Sequence, residues 1–470
     1  MCAPAAACGI LQRVSNAADR ASFGVLTQTF HPDLVQAVAA QGGALQQRQR
    51  ELPARLTLYL VLALWLWRNL SYKEVWRRLA DGCAFSGGAQ TLPVPASGSP
   101  QASSISRARE RLGTQPLALL FNQTCGPLAD VGTPGAFWRG YRLSAVDGTC
   151  LDVPDTAANR AAFGGPTGGA FPQIRLLAHG EIGTRALIDA SFDAYNTSEK
   201  ALCERLSGSF APGMLTVFDA GFCGSDLYAT IRATGAQVIM RAGAQFELAP
   251  VQVLADGSYT AHLKKNGPLV RVTECTVYTD TLTEHGATST VGETITLVTS
   301  LLDPVLAPIA DFPGLYAARW EAEILFDAVK TELRGGTTVR FRSQSPDLVR
   351  QEAWALLLVY QALSDLITRA AGYRQLDPDR VSFTTALNTA RRSVNSTGRR
   401  FPPEYLAALD GWAFSELMDD LLPARRCRWA PREVTRRSFR FATRKPGTPA
   451  SGRTRHRIHI WRLDPPVKTP

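Results

Sequence analysis

The sequence predicts an α/β protein with a helical N-terminal region, and three observations lead to this prediction. Residues before about 83 carry apolar side chains at helical spacing. Beyond them, short apolar runs such as 143–146 and 214–218 alternate with helix-like runs such as 225–234, as expected when strands and crossover helices build one sheet. Residues 245–303 contain strand-like runs only. A β-only interval is therefore expected between the α/β part of the chain and the helices that follow.

The N-terminal region is expected to form three helices. Residues 33–40 and 56–67 have helical apolar spacing, and Ser71 with Glu74 forms a capping box that begins a third helix. The run 56–67 is the most apolar of the chain, but it is shorter than the roughly 18 residues that cross a bilayer. We therefore expect a buried helix and no membrane segment.

The charge favours a polyanionic partner and is concentrated near the C-terminus. The chain of 470 residues has a net charge of +10. Thirteen Lys and Arg residues lie between 424 and 462, against one acid, Glu433. Within this basic tail Arg436 and Arg437 are candidate contacts to DNA phosphates. A solvated tail that only keeps the protein soluble is the alternative.

A second basic segment follows a predicted linker. Residues 84–104 are rich in Gly, Ser and Pro, which favours a linker without packing. A short helix is expected next, ended by Gly113, and its Arg107, Arg109 and Arg111 are candidate DNA contacts. A solvated helix face explains these arginines equally well.

The nine cysteines argue against a zinc site and against a disulfide framework. They are scattered, with no Cys-x-x-Cys pair and no His at ligand spacing. The N-terminus lacks the features of a secretory signal. A reducing cytoplasm is therefore the expected location.

Two aspartates follow predicted strands and are candidate catalytic residues. Asp147 follows the run 143–146, and Asp219 follows 214–218. Carboxylates at strand ends project from a rigid sheet toward the place where α/β folds commonly bind ligands. A turn or cap role is the alternative for each. Asp152 and Asp155 compete with Asp147, and Asp155 has the surroundings of a turn residue.

A third acid is predicted on a helix. Residues 314–330 have helical periodicity, and at about 100° per residue Tyr316, Arg319, Glu323 and Lys330 fall in one stripe about 60° wide. The stripe adjoins an apolar face that is expected to pack against the core. This pattern indicates a polar margin directed at a cleft.

An ion-pair stripe on the surface explains the same spacing, since Arg319 and Glu323 are four residues apart. Glu321 points elsewhere on the helical wheel and is a poor candidate. Asp327 lies near the stripe and is a substitute for Glu323.

These residues resemble a known family. Tyr316, Arg319, Glu323 and Lys330 fit the Tyr-x2-Arg-x3-Glu-x6-Lys signature of bacterial insertion-sequence DDE transposases of the IS4 type. SAVDGTCLDVPDTAANRAAFG resembles the family's first-aspartate block and LTVFDAGFCG its second. RLTLYLVLALWLWRNLSYKEVWRRLADG and ISRARERLG resemble its N-terminal domain, and the basic tail resembles its usual ending.

The resemblance implies an RNase H-like catalytic core that a β insertion interrupts between the second Asp and the Glu. The expected domains are a helical N-terminal domain at 1–113, the core at 135–244 and 304–375, the insertion at 245–303, C-terminal helices at 376–423 and the basic tail at 424–470.

The resemblance also implies the chemistry. Asp147, Asp219 and Glu323 are expected to bind two Mg²⁺ ions, with Mn²⁺ as a substitute, because two ions assist attack on a phosphodiester. Tyr316, Arg319 and Lys330 are expected to hold phosphates of the DNA end. The reaction implied is cleavage at transposon ends followed by strand transfer. The partners implied are terminal inverted repeats and target DNA, bound by a homodimer in a synaptic complex, and the location is cytoplasmic and nucleoid-associated.

One departure concerns the insertion. Relatives use a tryptophan there to stack on a flipped base, whereas residues 245–303 contain no Trp and only Phe246, Tyr259 and Tyr278 as aromatic residues. Base stacking is thus unassigned. Two other functions stay open, an RNase H-like nuclease that only hydrolyses DNA and a DNA-binding derivative with an inactive site.

Overall fold

A computed structural model describes residues 23–45, 52–83, 99–283, 288–336, 339–400, 406–424 and 452–463. The helices are α1 (Val25–Thr29), α2 (Pro32–Gln41), α3 (Ala54–Leu66), α4 (Tyr72–Cys83), α5 (Ala102–Leu112), α6 (Gln115–Thr124), α7 (Ala157–Phe163), α8 (Glu199–Arg205), α9 (Ser225–Ala233), α10 (Phe312–Ala317), α11 (Trp320–Asp327), a π-helical segment (Ala328–Leu333), α12 (Pro346–Tyr373), α13 (Phe383–Arg400) and α14 (Leu406–Met418). The strands are β1 (Phe137–Trp138), β2 (Tyr141–Asp152), β3 (Gln173–Glu181), β4 (Leu187–Ala194), β5 (Met214–Phe218), β6 (Gln237–Ala242), β7 (Gln252–Val253), β8 (Tyr259–His262), β9 (Leu269–Thr283), β10 (Thr288–Thr299) and β11 (Gly452–Trp461).

The chain divides into two compact units that differ from the predicted domains. Unit 1 comprises Met1–Phe137, Gly148–Leu202 and Glu323–Arg425, and unit 2 comprises Trp138–Asp147, Cys203–Ala322 and Arg426–Pro470. The N-terminal helices therefore share a unit with the C-terminal helices, and the β insertion shares one with β5 and β6.

Helix α3 lies at the centre of unit 1. All but one of its residues are buried, because its side chains are apolar on every face and such a helix must be enclosed. The Trp65 indole Nε1 donates to the carbonyl oxygen of Glu352 on α12 at 2.8 Å, which joins the N-terminal helices to the longest helix of the chain. The predicted buried helix is confirmed. The N-cap half of the predicted capping box is present, since Ser71 Oγ accepts from the Glu74 backbone N–H at 3.3 Å, whereas the Glu74 carboxylate pairs with Arg77 and Arg78.

Helix α5 is the predicted basic helix, and it ends at Gly113 with a φ of 68°. Its side chains do not form one solvated face, because Arg107 and Arg111 are exposed whereas Arg109 is buried. The start of the helix at Ala102 also shortens the predicted linker, of which residues 84–98 lie outside the described residues.

Arg109 has structural partners on every side. Its Nε donates to Gln351 Oε1 at 2.9 Å and its Nη2 to Ser343 Oγ at 2.9 Å. Its Nη1 donates to the Tyr72 hydroxyl at 2.6 Å, and Glu352 Oε1 lies 3.8 Å from Nη2. The expectation that Arg109 contacts DNA is therefore wrong, because its guanidinium is 1% exposed and joins α5 to α4 and α12.

Unit 1 also contains a small part of the sheet. Strands β3 and β4 pair antiparallel, and β3 neighbours β2, whose second half belongs to this unit. Helix α12 covers β4, since the Gln361 side chain accepts from the Leu187 backbone N–H at 2.8 Å.

Unit 2 contains the rest of the sheet. The first half of β2 pairs parallel with β5, and β5 pairs parallel with β6. Strand β10 then pairs antiparallel with β6, and β9, β8 and β7 follow in that order. The interval 245–303 is thus strand-rich as predicted, but it continues the same sheet. Its predicted turns contain Gly257 at φ 85° and Asn266 at φ 58°, both in the left-handed region that such turns require.

The C-terminal basic segment is not only a solvated tail. Residues 452–461 form strand β11, which pairs antiparallel with β9 from Gly452 opposite Thr283 to Trp461 opposite Glu274. The exposed Trp461 donates from Nε1 to Thr276 Oγ1 at 2.9 Å. The candidate contacts Arg436 and Arg437 lie outside the described residues.

The remaining expectations concern membranes and cysteines. None of the described helices combines the length and apolar character needed to cross a membrane. The five cysteines whose side chains are described, at 125, 150, 203, 223 and 275, are free thiols.

The buried Arg109 predicts a large effect on stability. Arg109→Ala leaves Glu352 and Gln351 buried without this partner, so we expect the free energy of unfolding to fall by about 3–5 kcal/mol. Arg107→Ala, on the exposed face of the same helix, is the matched control and should change it by less than about 0.5 kcal/mol. Urea denaturation followed by circular dichroism measures both. Equal midpoints for the two variants would contradict the structural role.

Candidate active site

The parallel register of β2 and β5 places Asp147 and Asp219 at matching positions along the two neighbouring strands. Ala145 pairs with Val217 at the end of the ladder, and Asp147 and Asp219 each lie two residues further along. Adjacent strands are about 4.8 Å apart, so the two carboxylates leave neighbouring positions of one rigid sheet. Both residues are half-buried, which leaves part of each side chain accessible. The expected placement directly after a strand is confirmed for Asp219, whereas Asp147 lies inside β2, which continues to Asp152.

Asp219 is held by the turn that follows its strand. Its Oδ1 accepts from the Gly221 backbone N–H at 2.8 Å. A Cβ at Gly221 would lie 3.1 Å from the same oxygen, which is closer than ordinary van der Waals contact. The absence of a side chain at Gly221 therefore leaves room for the carboxylate in its present position.

Tyr316 and Arg319 lie in unit 2 near Asp219, but they are buried. Their exposed fractions are 5% and 3%, so the expectation of an accessible margin is wrong for both. Burial raises the pKa of the Tyr316 phenol, and the charge of Asp219 raises it further. The charges of Arg319 and Arg241 lower the same pKa. The phenol is therefore neutral at physiological pH and makes a side-chain hydrogen bond with Arg241. The Arg319 guanidinium lies 5.8 Å from the ring of Tyr316.

Two arginines that sequence reasoning missed organise this part of unit 2. Arg241 on β6 makes an ion pair with Glu293 on β10, with 2.8 Å between Nη2 and Oε1. Arg271 on β9 is fully buried and donates from Nη1 to the Ala307 carbonyl at 2.6 Å. Its guanidinium also lies 5.0 Å from the ring of Phe312, the first residue of α10. No sequence motif marks Arg241 or Arg271, and only the pairing of their strands with distant strands reveals them.

The predicted single helix over 314–330 is interrupted. Helix α10 ends at Ala317 and α11 begins at Trp320. Between them Arg319 N–H donates to the Tyr316 carbonyl at 3.1 Å, a three-residue turn that changes the angular spacing. The segment after Asp327 is π-helical. The wheel at about 100° per residue therefore does not describe the four signature residues as one stripe.

Glu323 and Lys330 belong to unit 1, in which Glu323 is the first residue of its segment. Both are half-buried. The Lys330 Nζ lies 5.7 Å from the ring of Phe326. Burial raises the pKa of the nearby Cys150 thiol on β2, and the charge of Lys330 is among the effects that lower it.

The competing acids have other surroundings. Asp152 Oδ1 accepts from Gln173 Nε2 at 2.7 Å, which ties its carboxylate to β3. Asp155 makes an ion pair with Arg160, with 2.6 Å between Oδ1 and Nη2. Glu321 is buried and Asp327 is exposed. None of these contacts resembles the level arrangement of Asp147 and Asp219.

The donor chemistry of the two aspartates suits a hard divalent cation, because carboxylate oxygens are the ligands that Mg²⁺ prefers. No group of three or more His, Cys, Asp or Glu side chains in the described part of the chain is gathered closely enough to hold a metal ion. The carboxylates of Asp147 and Asp219, at matching positions of adjacent strands, fit as part of the ligand set of a divalent cation.

This α/β core, with one acid inside β2 and another directly after its parallel neighbour β5, is an RNase H-like fold of the kind used for phosphodiester chemistry. The insertion element 4 transposase N-terminal model matches residues 20–122, and the transposase DDE domain model matches residues 138–362. The chain belongs to the IS4-type DDE transposases, and it is a DNA transposase of an insertion sequence.

The chain is also similar to individual transposases. The chain is 27% identical over 437 residues to the transposase InsG for insertion sequence element IS4 of Escherichia coli (strain K12), covering 88% of this chain and 92% of that one. Among solved structures, the piggyBac transposase synaptic complex with hairpin DNA covers 84% of this chain and 86% of its own, with a TM-score of 0.41 and 9% identity.

The position of Gly221 predicts a test of the site. Gly221→Ala forces Asp219 Oδ1 to move by a few tenths of an ångström, and we expect cleavage of transposon ends to slow by about tenfold at limiting Mg²⁺. Gly208→Ala, whose Cβ would have no neighbour within 4 Å, is the control and should cleave at the wild-type rate. If Gly221→Ala cleaves as fast as the control, the carboxylate of Asp219 does not need this position.

Proposed function

We propose that Asp147, Asp219 and Glu323 are the catalytic carboxylates of this transposase and that they bind two Mg²⁺ ions, for which Mn²⁺ can substitute. The single observation that carries the proposal is the register that sets Asp147 and Asp219 level on β2 and β5. Glu323 is assigned through the family signature, and its half-buried side chain leaves its carboxylate partly accessible.

Asp147, Asp219 and Glu323 would hold the divalent ions, which when bound would supply activation of a water or DNA 3′-hydroxyl nucleophile and stabilisation of the leaving oxygen. The contribution of the chain is to hold the carboxylates rigidly. Asp147 and Asp219 extend from a sheet whose register fixes their spacing, and the Gly221 N–H orients one oxygen of Asp219. Preorganised donors of this kind need no rearrangement when the DNA arrives.

Tyr316 and Arg319 act as positioning residues in this proposal. Their burial favours a role in fixing the chain that leads to Glu323, together with Arg241. Lys330 is half-buried and is proposed to neutralise a phosphate at the DNA end as a point charge. The exposed Arg107 and Arg111 and the tail residues Arg436 and Arg437 are proposed to bind phosphates more generally.

The DNA partners are proposed to be the terminal inverted repeats of the element and its target DNA. Two copies of the chain are proposed to hold the two ends in a synaptic complex, in the cytoplasm and associated with the nucleoid. The net charge of +10 supports a DNA partner, because phosphate contacts provide most non-specific affinity.

Carboxamide variants test the catalytic assignment. Asp147→Asn, Asp219→Asn and Glu323→Gln should each lower Mg²⁺-dependent cleavage of the element's own ends by at least about 1,000-fold, because each removes a charged metal ligand. Asp152→Asn is the matched control on β2 and should keep most of the activity, since Gln173 already engages its carboxylate. Single-turnover cleavage on a gel, with a precut end to score strand transfer, measures both steps.

Three results would contradict the proposal. Wild-type cleavage in the three variants would exclude them as catalytic residues. Loss of cleavage in Asp152→Asn, with activity kept in Asp147→Asn, would transfer the first role to Asp152. Cleavage without strand transfer from a precut end would indicate a nuclease that only hydrolyses DNA.

A further inference from the structure

A cavity of about 480 Å³ lies in unit 1, which contains neither Asp147 nor Asp219. It lies beside the end of α3, the helix α4, the π-helical segment and α13. Its volume is in the range of small-ligand sites. The lining residues that carry charge are four arginines and one acid: Arg68, Arg78, Arg391, Arg392 and Glu332.

Two of these arginines are fixed in place by helix ends. Arg391 Nε donates to the Leu66 carbonyl at the end of α3 at 2.5 Å, and its Nη1 donates to Asn388 Oδ1 at 2.9 Å. Arg392 makes an ion pair with Glu416 of α14. Glu332 in turn accepts from the Thr384 hydroxyl at 2.7 Å. The positive wall of the cavity is therefore rigid.

Arg68 is the most informative lining residue. It is 9% exposed, its guanidinium lies 4.8 Å from the ring of Trp65, and its Nη2 donates to the Arg340 carbonyl. Its Nε is buried and has no hydrogen-bond partner. Burial lowers the pKa of Arg68 to about 10, Glu352 raises it, and the neighbouring Arg342 lowers it. A buried cation with an unused donor among other cations is stabilised by an anion.

We propose that this cavity is a phosphate-binding site. Arginine forks match phosphate oxygens in geometry and charge, and several arginines around one cavity favour a phosphate over a single carboxylate. Two sources share this chemistry, a backbone phosphate of DNA and a free phosphate compound. A DNA phosphate as the source rests on the proposed function. It adds to that function a DNA contact on the helical N-terminal region.

The cavity adjoins the π-helical segment that contains Lys330. Glu332 and Leu333 in its wall end the π-helical segment that contains Lys330, and Gly335 follows. This segment continues directly from α11, which belongs to the same unit from Glu323 onward. A phosphate in the cavity therefore contacts the same stretch of chain that carries two of the proposed active-site residues.

Two neighbouring arginines on α4 provide a matched test. Arg78 lines the cavity, whereas Arg77 does not, and both lie near Glu74, at 3.4 Å and 3.5 Å. Binding of the full chain to a duplex of the element's end is measured over a series of salt concentrations without divalent ions. For a backbone phosphate, Arg78→Gln should reduce the slope of log K against log[salt] by about one, and Arg77→Gln should leave it unchanged.

A second arm uses pyrophosphate as the probe and thermal unfolding as the readout. If the source is a free phosphate compound, pyrophosphate raises the Tm of wild type and of Arg77→Gln but not of Arg78→Gln, while all three keep the same salt slope. A difference between the two variants in either arm supports the site and identifies the source. Identical behaviour of the two variants in both arms would overturn it.

This outcome is independent of the catalytic assignment. Neither arm requires metal or cleavage, so inactive carboxylates leave both readouts unaffected. Conversely, an absent phosphate site leaves the tests of Asp147 and Asp219 intact.

Discussion

The parallel pairing of β2 with β5 is the constraint on which the proposed site depends. A parallel pair cannot be joined by a tight turn, so the chain must leave β2, cross over and return before β5 begins. Once Ala145 pairs with Val217, the positions of Asp147 and Asp219 follow without further choice. A slip of one residue would turn one of the two side chains to the opposite face of the sheet.

Burial of the strands makes that register strict. Residues 143–146 and 215–218 are buried, including Ser144 and Thr216, whose hydroxyl oxygens are 2.8 Å apart across the two strands. This polar pair is satisfied in only one register, because a shifted strand would place each hydroxyl against an apolar neighbour. Buried polar groups without partners cost about 1–3 kcal/mol each. The pair therefore adds specificity to the apolar packing of the core.

Arginine performs two different tasks in this chain, and the distinction depends on burial. Arg109 in unit 1 and Arg271 in unit 2 are almost fully buried and bind carbonyl, hydroxyl and carboxylate oxygens of distant segments. The exposed Arg107 and Arg111 have their charges available to a polyanion. Net charge alone does not separate the two tasks, and it overstates how much positive charge faces the solvent.

Local pattern predicted much of the fold because the relevant forces act between near neighbours. Helical periodicity identified α3, and the small residue after an apolar run identified the end of β5 before Asp219, whereas β2 continues past Asp147. The burial of Arg109 depends instead on Gln351, 242 residues away, and strand β11 depends on pairing with β9. No local spacing contains that information.

The interruption before α11 was missed for a related reason. The residues around Ala318 and Arg319 have ordinary helix propensity, with neither Pro nor Gly to mark a break. The break is therefore a result of tertiary packing, and the same packing buries Tyr316. For the candidate site, the sequence could indicate which residues take part but not which of them stay accessible.

A double-mutant cycle on Mn²⁺ affinity tests the central claim most directly. Mn²⁺ binding to the full chain with its DNA end is measured by electron paramagnetic resonance for wild type, Asp147→Asn, Asp219→Asn and the double variant. If the two level carboxylates share one ion, the double variant loses little more affinity than either single variant. If the affinity losses of the two single variants add up in the double variant, the two carboxylates do not share one ion. Wild-type Mn²⁺ affinity in both single variants would also contradict a shared metal site.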